Sequence, residues 1–134
     1  MRLHAVALLT AAGMLLLTAC GGSNAGQTGG PSGTAADPSA QQVTITGTDD
    51  MRFNPATVTV QAGRLVQITL VNAGQLVHDV SLSDGASSPV KVVANGGQGA
   101  TSPAFTLDRP GTYTFICSQA GHEAAGMRGT ITAQ

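Results

Sequence analysis

The stretch Gly111–His122 has the sequence GTYTFICSQAGH and decides which fold the chain can form. Tyr113, Phe115 and Cys117 occupy every second position in it, which is the period of a β-strand. All three side chains should therefore point to one face, and we expect that face to be the core. A four-residue loop then leads to His122, so this strand and loop bring a thiol and an imidazole to the same sheet edge.

The rest of residues 42–134 has the same strand-like pattern, with short alternating or apolar runs bounded by Gly, Pro and Asn. Roughly seven or eight short strands at this spacing predict an all-β sandwich or barrel. Residues 108–113 have the pattern of a tyrosine corner. No helix is expected beyond one helical turn over 122–127. The predicted strands are Val43–Thr46, Ala56–Val60, Leu65–Val71, His78–Leu82, Lys91–Ala94, Ala104–Leu107, Thr112–Cys117 and Gly129–Thr132.

The composition limits both the core and the partners. The 134 residues carry a formal net charge of −1, and only 10% of them are charged. With 3 Phe, 1 Tyr and no Trp, the core must be built mainly from small aliphatic side chains, which favour strands when they are β-branched. A chain so nearly neutral has no basic surface for nucleic acid, and we expect a monomer that binds none.

Residues 1–19 have the pattern of a secretory signal peptide. Arg2 precedes an apolar run over 5–17 that is shorter than the roughly 20 residues of a membrane-spanning helix. The run ends in Leu17-Thr18-Ala19-Cys20, which resembles the bacterial lipobox, so Cys20 is the expected lipidation site and first mature residue. The mature chain should then lie outside the cytoplasm, anchored to a bacterial membrane on its periplasmic or outer face. The alternatives are an ordinary signal peptide, or a disulfide between Cys20 and Cys117.

Residues 20–41 are predicted to form a linker, which begins at the lipidated Cys20 and leads to the folded domain at 42–134. After Cys20 the sequence is dominated by Gly, Ser, Thr, Ala and Pro and has no hydrophobic period. Such a segment cannot bury apolar surface, so we expect it to be disordered.

Four residues of the domain have the side chains of one kind of metal site. Two imidazoles, one thiolate and one thioether are the ligand set of a blue copper centre, which holds one copper ion. Each residue alone is weak evidence, but every His and Cys of residues 42–134 belongs to the set. Met51 is an alternative axial ligand without a supporting loop. The predicted ligands are His78, Cys117, His122 and Met127.

At this point the sequence resembles a cupredoxin of the plastocyanin/azurin family. The resemblance rests on the segment 111–122, on Gly126-Met127-Arg128-Gly129-Thr130-Ile131, and on Asn72-Ala73-Gly74 before His78. The spacing of the ligands is most similar to the auracyanin and azurin groups. Ser118 stands where the family has Ser or Thr after its Cys ligand, whereas Asp79 stands where many members have Asn. Both are expected near the copper, around its ligands.

The resemblance implies a Greek-key β-sandwich with one type 1 copper that exchanges electrons through His122. The chain would then be a membrane-tethered one-electron carrier, with a c-type cytochrome, an oxidase, a reductase or a photosynthetic complex as its partner. Exposed apolar residues around His122 are the expected docking patch: Leu76, Ala120, Ala124 and Ala125.

Three other functions compete with that of an electron carrier. Multicopper enzymes need more histidines than this domain contains, so we expect no enzyme. A copper-delivery lipoprotein without an electron-transfer role would use the same ligands. A metal-free sandwich would leave the ligand cluster unexplained, and zinc could occupy a site of this composition.

Overall fold

A computed structural model of the chain describes residues 32–82 and 84–134, which form two packed β-sheets and contain no helix. The predicted signal peptide and Cys20 lie outside the described residues. The strands are β1 (Ser32–Gly33), β2 (Gln41–Thr48), β3 (Arg52–Asn54), β4 (Thr57–Val60), β5 (Leu65–Asn72), β6 (His78–Leu82), β7 (Val90–Ala94), β8 (Gly99–Thr101), β9 (Phe105–Thr106), β10 (Gly111–Ile116) and β11 (Arg128–Ala133).

The first sheet has the strand order β1-β8-β5-β2-β3, with β9 also paired to β5. The second sheet has the order β4-β11-β10-β6-β7. Both sheets are mixed. In the first sheet β2 pairs with β5 in parallel, and in the second sheet β10 pairs with β11 antiparallel. This arrangement confirms the predicted all-β sandwich, and the strands that the prediction missed are the short ones: β1, β3 and β8.

The core lies between the sheets and is built from the positions that alternate inward. Val43 and Ile45 of β2 and Phe115 of β10 are buried, as the strand period requires. Phe53 and Phe115 meet across the core with ring centroids 5.2 Å apart. The remaining core residues are mostly Val, Ile, Leu and Ala, as the composition predicts.

The predicted tyrosine corner is present where β10 begins. Tyr113 is half-buried, and its hydroxyl donates a hydrogen bond of 2.7 Å to the carbonyl of Arg109. This bond ties the preceding turn to β10, the strand that leads to Cys117. The tyrosine corner therefore helps to hold the start of the strand that carries the thiol.

The folded part begins earlier than the predicted boundary at residue 42. β1 pairs in parallel with β8, and the Thr34 N–H donates to the carbonyl of Thr101 at 3.1 Å. The buried Gln67 amide accepts from the Asp37 N–H at 2.7 Å and donates to the Ala35 carbonyl at 2.9 Å. Residues 32–41, predicted as disordered linker, are therefore held against the sheet. Composition failed here because the hydrogen bonds of their backbone groups, to Thr101 and to the Gln67 side chain, hold them.

Candidate metal centre

Three of the predicted ligands converge at one end of the sandwich. His78 is the first residue of β6, Cys117 directly follows β10, and His122 lies in the turn beyond it. One ligand atom from each lies within 4.8 Å of the other two. The Cys117 Sγ lies 3.4 Å from His122 Nδ1, and the two imidazole centroids are 5.1 Å apart.

The His78 ring shows which of its atoms faces the site. His78 is fully buried, yet its Nδ1 is the only buried side-chain nitrogen or oxygen in the described part of the chain that has no hydrogen-bond partner. A buried imidazole nitrogen without a partner is costly unless a ligand satisfies it. Its Nε2 lies 3.3 Å from the Asp49 carboxylate. Nδ1 is thus the atom available to a metal.

Met127 is fully buried and joins the same cluster. Its N–H donates to the His122 carbonyl at 3.0 Å, and its carbonyl accepts from the Cys117 N–H at 3.0 Å. Gly47 of β2 lies against the Met127 side chain, and a Cβ added to it would come within 3.3 Å of both the Met127 Cε and the His78 Cβ. Met51, the alternative axial candidate, instead packs on the core from the turn after β2, with a positive φ of 60°.

The turn that carries His122 is closed by its own backbone. The Ala125 N–H donates to the Gly121 carbonyl, and the Gly126 N–H donates to the Glu123 carbonyl, so the expected helical turn is present. Gly121 and Gly126 have φ values of 82° and 99°, a region that favours glycine. The two glycines supply the backbone conformations that the turn between Cys117 and Met127 requires.

Asp79 of β6 holds the start of this turn by hydrogen bonds. The sequence alone could not assign this role to it. Its side chain is fully buried and accepts from the Ser118 N–H at 2.8 Å, the Ser118 hydroxyl at 3.0 Å and the Gln119 amide at 2.7 Å. Its own backbone N–H donates to the Cys117 Sγ at 3.4 Å. Asp79 and its partner Ser118 therefore lie beside the Cys117 thiol.

The surroundings of Cys117 decide its protonation. Burial raises the pKa of the Cys117 thiol above its ordinary value, and the Asp79 N–H hydrogen bond opposes that rise. The neutral thiol is therefore the favoured form of the metal-free protein. Metal binding must displace this proton, because the thiolate is the form that binds.

Two residues of the site were missed by sequence reasoning. Asp49 lies in the turn after β2, and hydrogen bonds from the backbone N–H groups of Gln75 and Leu76 hold its pKa below the ordinary value. Gly47 lies two residues earlier and leaves room for His78 and Met127. Neither has a motif around it. The only indication in the sequence is the run Gly47-Thr48-Asp49-Asp50, which spans the end of β2 and the turn after it.

The residues present fit a copper ion. Two imidazole nitrogens, a thiolate and a thioether suit copper in both of its oxidation states, and the buried His78 Nδ1 has no other partner. Three of the four side chains are fully buried and His122 is half-buried. The arrangement is that of a type 1 copper site, with one ligand near the surface.

Exposed apolar residues lie in the turn that carries His122 and in the loop before His78, and the exposed Glu123–Arg128 ion pair lies at the same turn. Leu76 is 45% exposed and Val77 is 39% exposed. Ala120, Ala124 and Ala125 are exposed as well. The residues predicted for a docking patch are therefore accessible. No helix of the described residues is long and apolar enough to cross a membrane.

Known proteins share both the sequence and the fold. The family model described as copper binding proteins, plastocyanin/azurin family, matches residues 40–134. The copper-resistant cuproprotein CopI of Rubrivivax gelatinosus is 32% identical over 130 residues, which cover 82% of this chain and 78% of that protein. Plastocyanin of Dryopteris crassirhizoma is 33% identical over 94 residues, which cover 62% of this chain and 88% of that protein.

A solved structure agrees with these sequence matches. Auracyanin A of Chloroflexus aurantiacus, described as a "blue" copper protein, superposes with a TM-score of 0.60 at 22% identity. The superposition covers 71% of this chain and 99% of that chain. At this level of identity, the match shows a shared fold.

Proposed function

Because the chain belongs to the plastocyanin/azurin family of copper-binding proteins, we propose that it is a one-electron carrier outside the cytoplasm, tethered to a bacterial membrane by a lipid on Cys20. The observation that carries this proposal is the pairing of three fully buried ligands with one half-buried ligand, His122. The redox partner is proposed to be a c-type cytochrome, an oxidase or a reductase.

The frame around the ligands favours electron transfer. When bound, copper supplies the one-electron Cu(I)/Cu(II) couple. His78 is held by β6, Cys117 by the end of β10, and Met127 by two backbone hydrogen bonds of 3.0 Å. A frame fixed in this way keeps one geometry in both oxidation states, and such preorganisation keeps the cost of changing state small.

The exposed edge of His122 supports a contact role. Its neighbours in the ligand turn, Ala124 and Ala125, are exposed and uncharged, and Leu76 adds an apolar side chain. Exposed apolar side chains beside a half-buried ligand let a partner approach closely, and the charge of the adjoining Glu123 is paired with Arg128. We propose that electrons leave and enter through the His122 edge.

Enzymatic chemistry has little support in this chain. Its 3 His include His4 of the predicted signal peptide, so the domain has only the two histidines of the copper site. A second copper centre built from histidines therefore has no ligands here. We therefore propose that the protein is an electron carrier and not a multicopper enzyme.

A second candidate function is copper binding or delivery without electron transfer. It is favoured by the match to a protein named for copper resistance, at 32% identity. The two functions differ in kinetics, since a delivery protein must release its metal readily. The half-buried His122 would be the point of exit.

The first test is a titration with Cu(II) of residues 21–134, the mature chain without its lipidated Cys20. The carrier predicts an intense visible absorption at one copper per chain, bleached by ascorbate and restored by an oxidant. Cys117→Ser should lose this absorption, because the thiolate is its source. A wild-type protein that binds copper without the colour would contradict the proposed ligand set.

The second test separates carrier from delivery. Electron self-exchange between oxidised and reduced protein should be fast, and transfer of Cu(I) to a chelator should be slow. Ala124→Asp should slow self-exchange, because it places like charges where two patches meet, whereas Gln134→Asp should not. Rapid copper transfer with slow self-exchange would favour delivery.

A further inference from the structure

His78 makes one polar side-chain contact within the described residues, and that contact is a carboxylate. The Asp49 Oδ1 lies 3.3 Å from His78 Nε2, although 29 residues separate the two in the chain. His78 is fully buried, while the Asp49 side chain is 41% exposed. The carboxylate therefore links the innermost imidazole of the site to the surface.

The hydrogen bonds of Asp49 determine the tautomer of His78. The Asp49 oxygens accept from the Gln75 N–H at 2.8 Å and from the Leu76 N–H at 3.1 Å. An ionised carboxylate can only accept, so His78 Nε2 must be the atom that carries the proton. Nδ1, the buried atom without a partner, then has a free lone pair that can bind copper.

The loop between β5 and β6 holds the Asp49 carboxylate in place. The buried Asn72 amide donates to the Leu76 carbonyl at 2.6 Å and accepts from the Gly74 N–H at 2.9 Å, which fixes the loop. Gly74 also leaves the space that the carboxylate fills, since any Cβ there would collide with Asp49. The contact with His78 is thus part of an ordered network and not a chance surface pair.

We propose that Asp49 is a positioning residue for the copper site, which holds His78 in the Nε2–H tautomer and adds negative charge to that ligand. A carboxylate on the distal nitrogen of a ligating histidine orients the ring and makes it a stronger donor. Stronger donation stabilises Cu(II) more than Cu(I), so Asp49 lowers the reduction potential. The proposal concerns the copper site itself and does not depend on the partner or on the electron-carrier role.

The first experiment needs no metal. Long-range proton–nitrogen NMR of the metal-free protein reports which nitrogen of the neutral His78 ring carries the proton. The wild type should show the Nε2–H form alone. Asp49→Ala should show a mixture of both tautomers. A single Nε2–H form in Asp49→Ala would overturn the positioning role.

The second experiment measures copper affinity and potential. Asp49→Ala should weaken Cu(II) binding about 10- to 100-fold, the usual effect of losing such a partner. If Cu(II) loses tenfold more than Cu(I), the potential rises by about 59 mV. Asp49→Asn keeps an acceptor but removes the charge, so it should retain the tautomer and still raise the potential. It also remains informative if Asp49→Ala does not fold.

Two further variants make the test specific. Asp50→Asn removes the same charge one residue away, where the carboxylate accepts from the Thr48 hydroxyl and not from His78, so its potential should match the wild type. Gly74→Ala should displace the carboxylate and raise the potential while Asp49 is kept. An equal shift in Asp50→Asn, or no shift in Asp49→Asn and Gly74→Ala, would overturn the proposal.

Discussion

Met127 lies in the wall of the copper site with its side chain against Gly47 and its backbone bonded to both Cys117 and His122. A thioether in this position is a weak donor to Cu(II). Met127→Leu keeps the volume of the side chain but removes the sulfur. We therefore expect a coloured copper site with a raised potential, measured by redox titration.

The control for this prediction is Met51→Leu. Met51 packs on the core beside the same sheet but lies outside the ligand cluster. Its substitution should leave the potential unchanged. A potential that does not move in Met127→Leu would point to another axial group.

Asp79 is expected to contribute to stability through the ligand turn. It accepts three hydrogen bonds from Ser118 and Gln119. Asp79→Asn turns the oxygen that accepts from the Ser118 hydroxyl and the Gln119 amide into a donor, so both hydrogen bonds must break or reverse, at a cost of about 1–3 kcal/mol. The free energy of unfolding of the metal-free protein, measured with denaturant, should fall by this amount.

Ser118→Ala is the matched variant for Asp79→Asn. It removes the hydroxyl donor and leaves the backbone N–H donor in place, so its loss should be smaller. The double variant should lose less than the sum of the two, because both remove one shared interaction. Equal stability of Asp79→Asn and the wild type would contradict the role of the carboxylate.

The raised pKa of the Cys117 thiol predicts a pH dependence of stability. The folded thiol holds its proton more tightly than the unfolded one. As the pH rises past the ordinary thiol pKa, the unfolded chain releases its proton first, and the free energy of unfolding falls. The stabilisation is fully present below that pKa and is lost above it.

The comparison that isolates this effect is Cys117→Ala. Both reduced, metal-free proteins would be unfolded with denaturant across neutral to alkaline pH. The wild type should lose stability relative to Cys117→Ala as the pH rises. Parallel curves for the two proteins would show that burial does not shift the thiol.

Among the elements, β1 depends on a single glycine. Gly33 has a φ of 136°, and a Cβ there would lie 2.5 Å from the Thr101 carbonyl oxygen, which belongs to the paired strand β8. Gly33→Val should release β1 from the sheet at a cost of about 1 kcal/mol, the net value of a typical hydrogen bond. Limited proteolysis should then cleave more rapidly within residues 32–40.

Thr34→Val is the control at the next residue. Thr34 is exposed, and its contact with Thr101 is made by the backbone, which the substitution keeps. Cleavage should stay at the wild-type rate, and neither variant should change the copper absorption. Slow cleavage in Gly33→Val would mean that β1 contributes little to holding the segment.

At the scale of the whole molecule, the direction of β1 relates the proposed lipid anchor to the copper site. β5 runs towards the copper end, since it ends at Asn72 before the loop to His78. β8 runs antiparallel to β5, and β1 runs parallel to β8. β1 therefore runs away from the copper end. The chain before β1 thus enters the sheet at the end where the copper site lies. The eleven residues from 21 to 31 can span at most roughly 40 Å.

This geometry predicts that the lipidated protein holds its copper close to the membrane. β11 ends at Ala133, opposite Gly111 at the start of β10, so Gln134 lies at the far end. In vesicles with a fluorescent lipid, the oxidised native protein should quench more than a variant anchored through Gln134. The reduced, bleached forms serve as the blank. Equal quenching would show that the site of attachment does not set the orientation.

Much of the site was determined by the sequence alone. The alternation of Tyr113, Phe115 and Cys117 is a local property of a strand, and the turn to His122 and Met127 follows directly in the chain. The all-β class and the resemblance to the plastocyanin/azurin family rested on these local patterns, and the fold and the family match confirm both. The lipid on Cys20 and the identity of the partner stay predictions.

Only the tertiary structure decided which residues surround the ligands. Asp49 and Gly47 are far from the ligands in sequence, and the packing of β2 against β6 brings them to His78. The period of a strand tells which face a residue occupies but not which residue lies opposite it across the core. The same holds for β1, because hydrogen bonds between backbone groups leave no trace in side-chain composition. Contacts between distant segments follow from register and sheet packing, which no local pattern encodes.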